Sequence, residues 1–302
     1  MVIMNNLTYV TCLYDNLFGT YFGGRENPSL RYYYSLETLS LMADHIVVYT
    51  WTSDVSKIET YLIDFLGLEQ FKKQIKVIGF DLDKSPLYEI IKSIKTDAQG
   101  INNDRSYDLT ISKFLFIKDT FEKNYFNSDY IYWIDVGLSH SSLFPFKHID
   151  QSDKHRRYSR CELFTSKIGE SLIKESSDKI ILFKLLGSIS HFFDSNFINI
   201  DLLNINLKSK LPWYIIGGIF GGRKEKVYEF SNKIIDRFIK LIKDRSLLLL
   251  EEQVMTFEVI HNEDDYNYIE FDSWYHEDSG DWVANHIIGK KLFYHIFEKF
   301  NL

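Results

Sequence analysis

Only two cysteines, Cys12 and Cys161, occur in 302 residues. That excludes a disulfide framework and a cysteine-rich zinc site, and it fits a reducing compartment. Proline is scarce, with 4 in the chain, and no linker, repeat or low-complexity segment interrupts the sequence. No stretch approaches the roughly 20 consecutive apolar residues of a membrane-spanning helix. The opening MVIMNNLTYVTCLYD lacks the charged and long apolar regions and the small-residue cleavage site of a secretory signal, so a soluble, cytoplasmic protein is expected. A net charge of −7 gives no global basic footprint, and nucleic acid is not an expected partner. The local exception is KHRRYSR at 154–160. It reads first as a solvated loop, and second as a contact for an anionic acceptor or the inner face of the cytoplasmic membrane. G-x-S-x-G, P-loop, H-E-x-x-H and paired C-x-x-C motifs are all missing.

What is present is an ordinary globular composition, 45% hydrophobic and 25% charged, with 24 Phe and 20 Tyr. The aromatic excess, with abundant Ile, Lys and Asn, reads as base composition rather than function. Along the first ~140 residues apolar strand-like runs alternate with helical periodicity. LTYVTCLYD (7–15), DHIVVYTWTSD (44–54), QIKVIGFDL (74–82) and YIYWIDVG (130–137) read as strands. The segments 30–43, 56–68, 86–95 and the stretch from Leu109 read as helices. This alternation predicts an α/β fold with a mostly parallel sheet flanked by helices, whose strands are buried on both faces.

The second half is less regular. Residues 179–207 suggest strand or mixed structure, 213–230 a strand, a glycine turn and a helix to about Arg245, and 247–260 a further helix. A single domain over 1–302 is expected, with a more regular half at 1–140 and a less regular one at 141–302.

In open α/β sheets ligands bind beyond the carboxyl ends of strands. Three predicted strand ends carry candidate groups. The first is Tyr14 with Asp15. The second is Asp135, where an acid follows an apolar strand and the preceding helix carries Lys113 on an otherwise apolar segment. That pairing suits a diphosphate: the lysine offsets its charge, and the aspartate takes a divalent ion or a ribose hydroxyl; a turn-capping aspartate is the plainer alternative. The third is GGIFGG (217–222), where Gly217 and Gly218 permit close approach of a substrate or simply make a tight turn. In EEQ (251–253) one glutamate is expected to face solvent. Glu252 with Gln253 is then left as a candidate to orient or deprotonate an acceptor hydroxyl. In the tail, His286, Gly289 and Lys290-Lys291 could meet a metal-bound pyrophosphate, with His286 as nitrogen ligand. The acidic run at 276–281 reads as a loop.

The order of VTCLYDN with the nearby Arg25, SKFLFIKDTFEKNYFNSDYIYWIDVGLSH, IIGGIFGG and EEQ resembles the HtrL/YibB (WlaTC-like) family of bacterial glycosyltransferases over residues 8–255. The resemblance implies a GT-A-like architecture: a Rossmann-type nucleotide-sugar-binding half and an acceptor-binding C-terminal half. In such enzymes the strand after the Lys- or Arg-bearing helix ends in D-x-D. Asp135 matches the first acid, and Gly137 stands where the second would be. A more distant similarity to retaining galactosyltransferases matches Gly217-Gly218, Glu252-Gln253 and His286-x-x-Gly289 with Lys290 or Lys291.

The resemblance implies transfer from a nucleotide-sugar donor to a glycan or glycolipid acceptor in lipooligosaccharide, lipopolysaccharide or capsule assembly. Tyr14, Asp15 and Arg25 would line the nucleotide. Lys113 and Asp135 would meet ribose and diphosphate. Lys290 would close over the pyrophosphate, and Mn²⁺ or Mg²⁺ would be held by Asp135 and His286. The alternatives are a non-catalytic nucleotide- or glycan-binding module on a degenerate fold, and a phosphatase or nucleotidyltransferase.

Overall fold

The computed structural model describes residues 6–14, six positions within 32–40, 43–94, 104–136, 172–176, 178–186, 213–245 and 251–272. The elements in chain order are β1 (Leu7–Cys12), β2 (His45–Thr50), α1 (Val55–Leu66), α2 (Leu68–Gln74), β3 (Ile75–Gly79), α3 (Tyr88–Ile94), α4 (Asp104–Lys123) and β4 (Tyr130–Ile134). They continue with β5 (Ile180–Leu186), β6 (Trp213–Arg223), α5 (Lys224–Arg245), α6 (Glu251–His261) and β7 (Tyr266–Asp272).

The strands form one seven-stranded sheet in the order β3-β2-β1-β4-β6-β5-β7. The pairs β1–β2, β2–β3, β1–β4 and β5–β7 are parallel, while β6 runs antiparallel to both neighbours. The Rossmann-type, mostly parallel sheet predicted from the sequence is therefore present, and it joins strands from both halves of the chain.

Strand alternation explains how the sheet is covered on both sides. Val10, Val47, Tyr49, Ile131, Trp133, Leu182 and Phe220 lie in one core with residues of α3, α4, α5 and α6. Leu7, Tyr9, Ile46, Val48, Tyr132, Ile134, Phe183 and Ile219 lie in the other with α1, α2 and residues of 32–40. After β1 the chain steps outward to β2 and β3, then returns to place β4 on the far side of β1. Right-handed crossovers oblige helices to change face at that reversal, and α3 and α4 accordingly lie opposite α1 and α2. Fully buried aromatics such as Trp133, Tyr49, Phe114 and Phe220 each contribute about 1.5–3 kcal/mol of burial energy.

The turn from α4 into β4 uses Asn124 and Asn127, whose φ values are 45° and 51°. Asparagine tolerates this left-handed backbone better than most residues, and the amide of Asn124 closes the helix on the Thr120 carbonyl at 2.9 Å.

The structure differs from the sequence expectations in three places. GGIFGG is not a turn: it lies inside β6, and α5 begins directly at Lys224. The expected helix over 56–68 is two helices meeting at Gly67. Strand β7 was not expected, and it pairs along its length with β5.

The glycine at 221 has a packing cause. It sits opposite Tyr132 in the β4–β6 register, and a Cβ there would lie 2.4 Å from the Tyr132 ring and 2.5 Å from the Ile131 carbonyl oxygen. Gly221→Ala is expected to destabilise the fold by about 3 kcal/mol, the upper end of the overpacking range. Urea denaturation with an unchanged m-value checks this.

Candidate active site

The reversal of strand order falls between β1 and β4, and a crevice at the carboxyl ends of such strands is the general ligand position in open α/β sheets. Tyr14 lies just beyond the end of β1 and Asp135 just beyond β4. Because β6 is antiparallel, its first half, not its last, reaches this edge. Ile134 pairs with Ile219, and the Asp135 amide donates to the Gly218 carbonyl at 2.8 Å. Helix α6 is stitched across the same stretch: the Ile215 amide donates to Thr256 Oγ1 at 3.0 Å, and that hydroxyl donates to the Glu252 carbonyl at 2.7 Å.

At the centre is Lys113, only 3% exposed, on a helix face it shares with Phe114, Phe116 and Ile117. Its Nζ donates to Glu251 Oε1 at 2.8 Å and to the Gly217 carbonyl at 3.0 Å. It also lies 3.5 Å from Asp135 Oδ1 and 5.3 Å from the centre of the Trp133 ring. Burial alone would lower the pKa of this ammonium, but the charges of Asp135 and Glu251, joined by Glu252, outweigh it and hold the value above its ordinary one. Lys113 is thus a fixed cation.

Asp135 keeps 43% of its side-chain surface. Its Oδ1 accepts from Trp133 Nε1 at 2.7 Å. Trp133 and Asp135 are two residues apart, so strand alternation puts both on one face. Loss of hydration raises the Asp135 pKa and Lys113 pulls it back, with the net shift upward.

Glu252 accepts from the Gly217 amide at 3.4 Å. Burial first, and then the charge of Glu251, push its pKa from 4.5 up to about 8. The cause is visible in the charge count. Asp135, Glu251 and Glu252 surround one ammonium, and full ionisation would leave two uncompensated negative charges in a poorly hydrated space. That cost opposes ionisation within the cluster, and Glu252 shows it as a raised pKa.

Tyr14 is engaged by the protein. Its hydroxyl donates to the Phe80 carbonyl at 2.9 Å, and its ring meets Trp51 edge-on at 5.0 Å. Stacking continues from Tyr14 to Phe116 at 6.1 Å and from Phe116 to Trp133 at 6.2 Å, so an aromatic row joins the end of β1 to the Lys113 cluster. Gln253 is buried beside the glutamates.

Of the residues singled out from the sequence, Tyr14, Lys113, Asp135, Gly217, Gly218, Glu252 and Gln253 share this edge. Asp15, Arg25, Gly137, His286 and Lys290 lie outside the described residues. The expectation that one of the adjacent glutamates faces solvent does not hold. Both reach Gly217, where a Cβ would lie 2.8 Å from Glu251 Oε1 and 3.0 Å from Glu252 Cγ. Sequence reasoning missed Glu251 and Trp133. The signal for Glu251 was available: a lysine buried in an apolar helix requires a carboxylate, and EEQ offered one.

A divalent metal fits the described residues poorly. Asp135 Oδ1 is shared by Trp133 and Lys113, the Gly217 carbonyl is taken by Lys113, and a cation already stands beside the carboxylates. Among the described residues no three His, Cys, Asp or Glu side chains are grouped to hold a metal ion. No helix among them is long and apolar enough to cross a membrane.

No family model and no curated protein matches the chain, so the HtrL/YibB resemblance has no such support. Among solved structures, the chain is similar to 4-diphosphocytidyl-2C-methyl-D-erythritol synthase from Anaerococcus prevotii, with 12% identity, 96% of each chain covered and a TM-score of 0.39. It is also similar to the apo form of mouse xyloside xylosyltransferase 1, with 11% identity, 96% of this chain and 93% of that chain covered, and a TM-score of 0.45. At these values neither likeness carries an activity over to this chain.

Two measurements check the electrostatics. Lys113→Met strands buried Glu251 and is expected to cost about 3–5 kcal/mol in denaturant unfolding. The raised pKa of Glu252 means that the folded state keeps a proton which the unfolded chain has lost. The contribution of this group to stability is therefore full below pH 4.5 and is lost as pH rises towards about 8. Glu252→Gln is expected to flatten that part of the pH–stability curve.

Proposed function

We propose that the chain is a GT-A-like glycosyltransferase that moves a sugar from a nucleotide-sugar donor to a bacterial surface glycan acceptor of the lipooligosaccharide, lipopolysaccharide or capsule type. The observation that carries this reading is Asp135. Its carboxylate stands at the β1–β4 reversal, still 43% exposed, while Trp133 and Lys113 fix one of its oxygens. A carboxylate held in this way is suited to accept hydrogen bonds from hydroxyls of a ribose or sugar, because its orientation is set before the ligand arrives. Asp15 and Arg25 complete the nucleotide side in this proposal, with His286 and Lys290 over the diphosphate.

Departure of the diphosphate builds negative charge on the leaving group, and positioned cations stabilise it. Lys113 does not serve this role directly, since its hydrogen bonds go to Glu251 and the Gly217 carbonyl. Its part is to hold Asp135 and β6. Glu252, with its pKa raised to about 8, lies in the range where a group can both take and return a proton near neutral pH. In an inverting reaction its ionised form takes the proton of the acceptor hydroxyl. In a retaining one Glu252 and Gln253 support the oxocarbenium-like centre.

The second reading, a non-catalytic nucleotide- or glycan-binding module, is favoured by one observation: the buried lysine spends its charge on protein carboxylates.

A thermal-shift screen of nucleoside diphosphates and nucleotide sugars, with and without Mn²⁺, is expected to give a base-selective rise in melting temperature. Incubation with the selected donor and glycan acceptors should release the nucleoside diphosphate, and Asp135→Asn should lower that turnover by about a hundredfold or more. Binding without release from any donor, with or without acceptor, selects the binding module. The absence of any nucleotide shift or release sinks the transferase reading.

A further inference from the structure

We infer that Glu251 is a positioning residue: it anchors the Lys113 ammonium and, through it, sets the orientation of the Asp135 carboxylate at the sheet edge.

Two adjacent glutamates open α6, yet they do different things. Glu251 turns to Lys113 Nζ at 2.8 Å, whereas Glu252 accepts from the Gly217 backbone amide at 3.4 Å. Lys113 and Glu251 keep only 3% and 7% of their side-chain surface, against 43% for Asp135. The inner ion pair is therefore dry and stiff, while the outer carboxylate borders solvent, where attraction is screened. The distances from the ammonium follow the same order. Glu251 at 2.8 Å and the Gly217 carbonyl at 3.0 Å set its place, and Asp135 stands at the longer 3.5 Å.

Asp135 Oδ1 then has two fixed neighbours, the Trp133 indole N–H at 2.7 Å and the ammonium. Four elements meet on one nitrogen: α4 carries Lys113, α6 carries Glu251, β6 supplies the Gly217 carbonyl and the end of β4 supplies Asp135. The other groups that bear on Asp135 electrostatically are Glu251 and Glu252, which oppose its charge, and the partly buried Cys12 thiol of β1. None can replace the lysine. Removing the charge of Glu251 frees Lys113 to move towards Asp135 or Glu252, and the hydrogen bond from Trp133 must respond.

The inference deepens the proposed function, but its first measurement does not depend on it. The full chain, labelled with ¹⁵N in its indole rings, is compared as wild type, Glu251→Gln and Glu258→Gln. Glu258 is the control because this buried glutamate of the same helix also holds an ion pair, with the partly exposed Arg237, whose Nε lies at 2.7 Å, remote from Asp135 in sequence and partners. The Trp133 indole resonance is assigned by its response to Asp135→Ala. Glu251→Gln is expected to shift this resonance, and Glu258→Gln to leave it in place. If Glu251→Gln does not fold, Glu251→Asp, which keeps the charge on a shorter arm, must move the same resonance.

The second measurement uses the donor found in the nucleotide screen. Here Glu251→Gln is expected to lower kcat about ten- to a hundredfold with KM nearly unchanged, the signature of a misplaced group rather than of lost binding. An unmoved Trp133 resonance in the folded Glu251 variant, or an equal shift in Glu258→Gln, overturns the inference. If no donor is turned over, the transferase reading fails and the indole resonance still decides the role of Glu251.

Discussion

A buried ammonium must be answered by negative charge, and Lys113 sits where nothing but protein can answer it. The cost of stripping water from an ion is several kcal/mol, recovered only through close and well-aligned partners. Glu251 and the Gly217 carbonyl supply them at 2.8 and 3.0 Å. To do so, α4 must lie against the first turn of α6, and β6 must pass between that turn and β4. The glycine at 217 follows from the same requirement, since a Cβ there would press to 2.8 Å from Glu251 Oε1. The acidic first turn of α6 also suits the positive end of the helix dipole, so one arrangement satisfies the lysine and the helix terminus together.

The site's chemistry is a consequence of that demand. One inner carboxylate neutralises the lysine, and the cluster holds two more. Asp135 is stabilised by the residual attraction of Lys113 and by an indole N–H, and it stays accessible. Glu252 has a backbone amide as its partner, and burial with the charge of Glu251 raises its pKa to about 8. Three chemically similar side chains thereby acquire three different settings: one buried against a cation, one oriented at the surface, and one whose acidity is weakened by burial and a neighbouring carboxylate. Neighbours and hydration separate them, not residue type.

Much of the fold was legible from periodicity. The parallel strands β1, β2 and β4 are apolar runs because both faces of the sheet are covered, and that pattern is written in residues 7–12, 45–50 and 130–134, while the edge strand β3 at 75–79 alternates buried with exposed residues. Strand β7 escaped because YNYIEFD is half polar and becomes a strand through its pairing with β5. GGIFGG was misread for a related reason. Local preference makes glycines turn-formers, but here they remain extended, and at 221 the glycine leaves room for the Tyr132 ring across the strand pair. Asp135 was legible as an acid ending a buried strand. Glu251 was legible only in part: the buried lysine called for a carboxylate, but nothing local chose between Glu251 and Glu252, and it is the packing of α6 on Gly217 that brings both there.

The sequence by itself determined the α/β alternation, the buried character of the central strands and the candidates Asp135, Lys113 and Glu252. These rest on local periodicity and on the cost of placing charge among apolar residues, both properties of short segments. Tertiary structure alone decided that β6 runs antiparallel, so that Gly217 and Gly218 meet Asp135, and that Lys113 spends its charge on Glu251 rather than facing outward. Those facts join Asp135 to Gly218, 83 positions on, and Lys113 to Glu251, 138 positions on. No local pattern encodes which of several carboxylates will reach a buried lysine, because the choice is made by the packing of whole helices against the sheet.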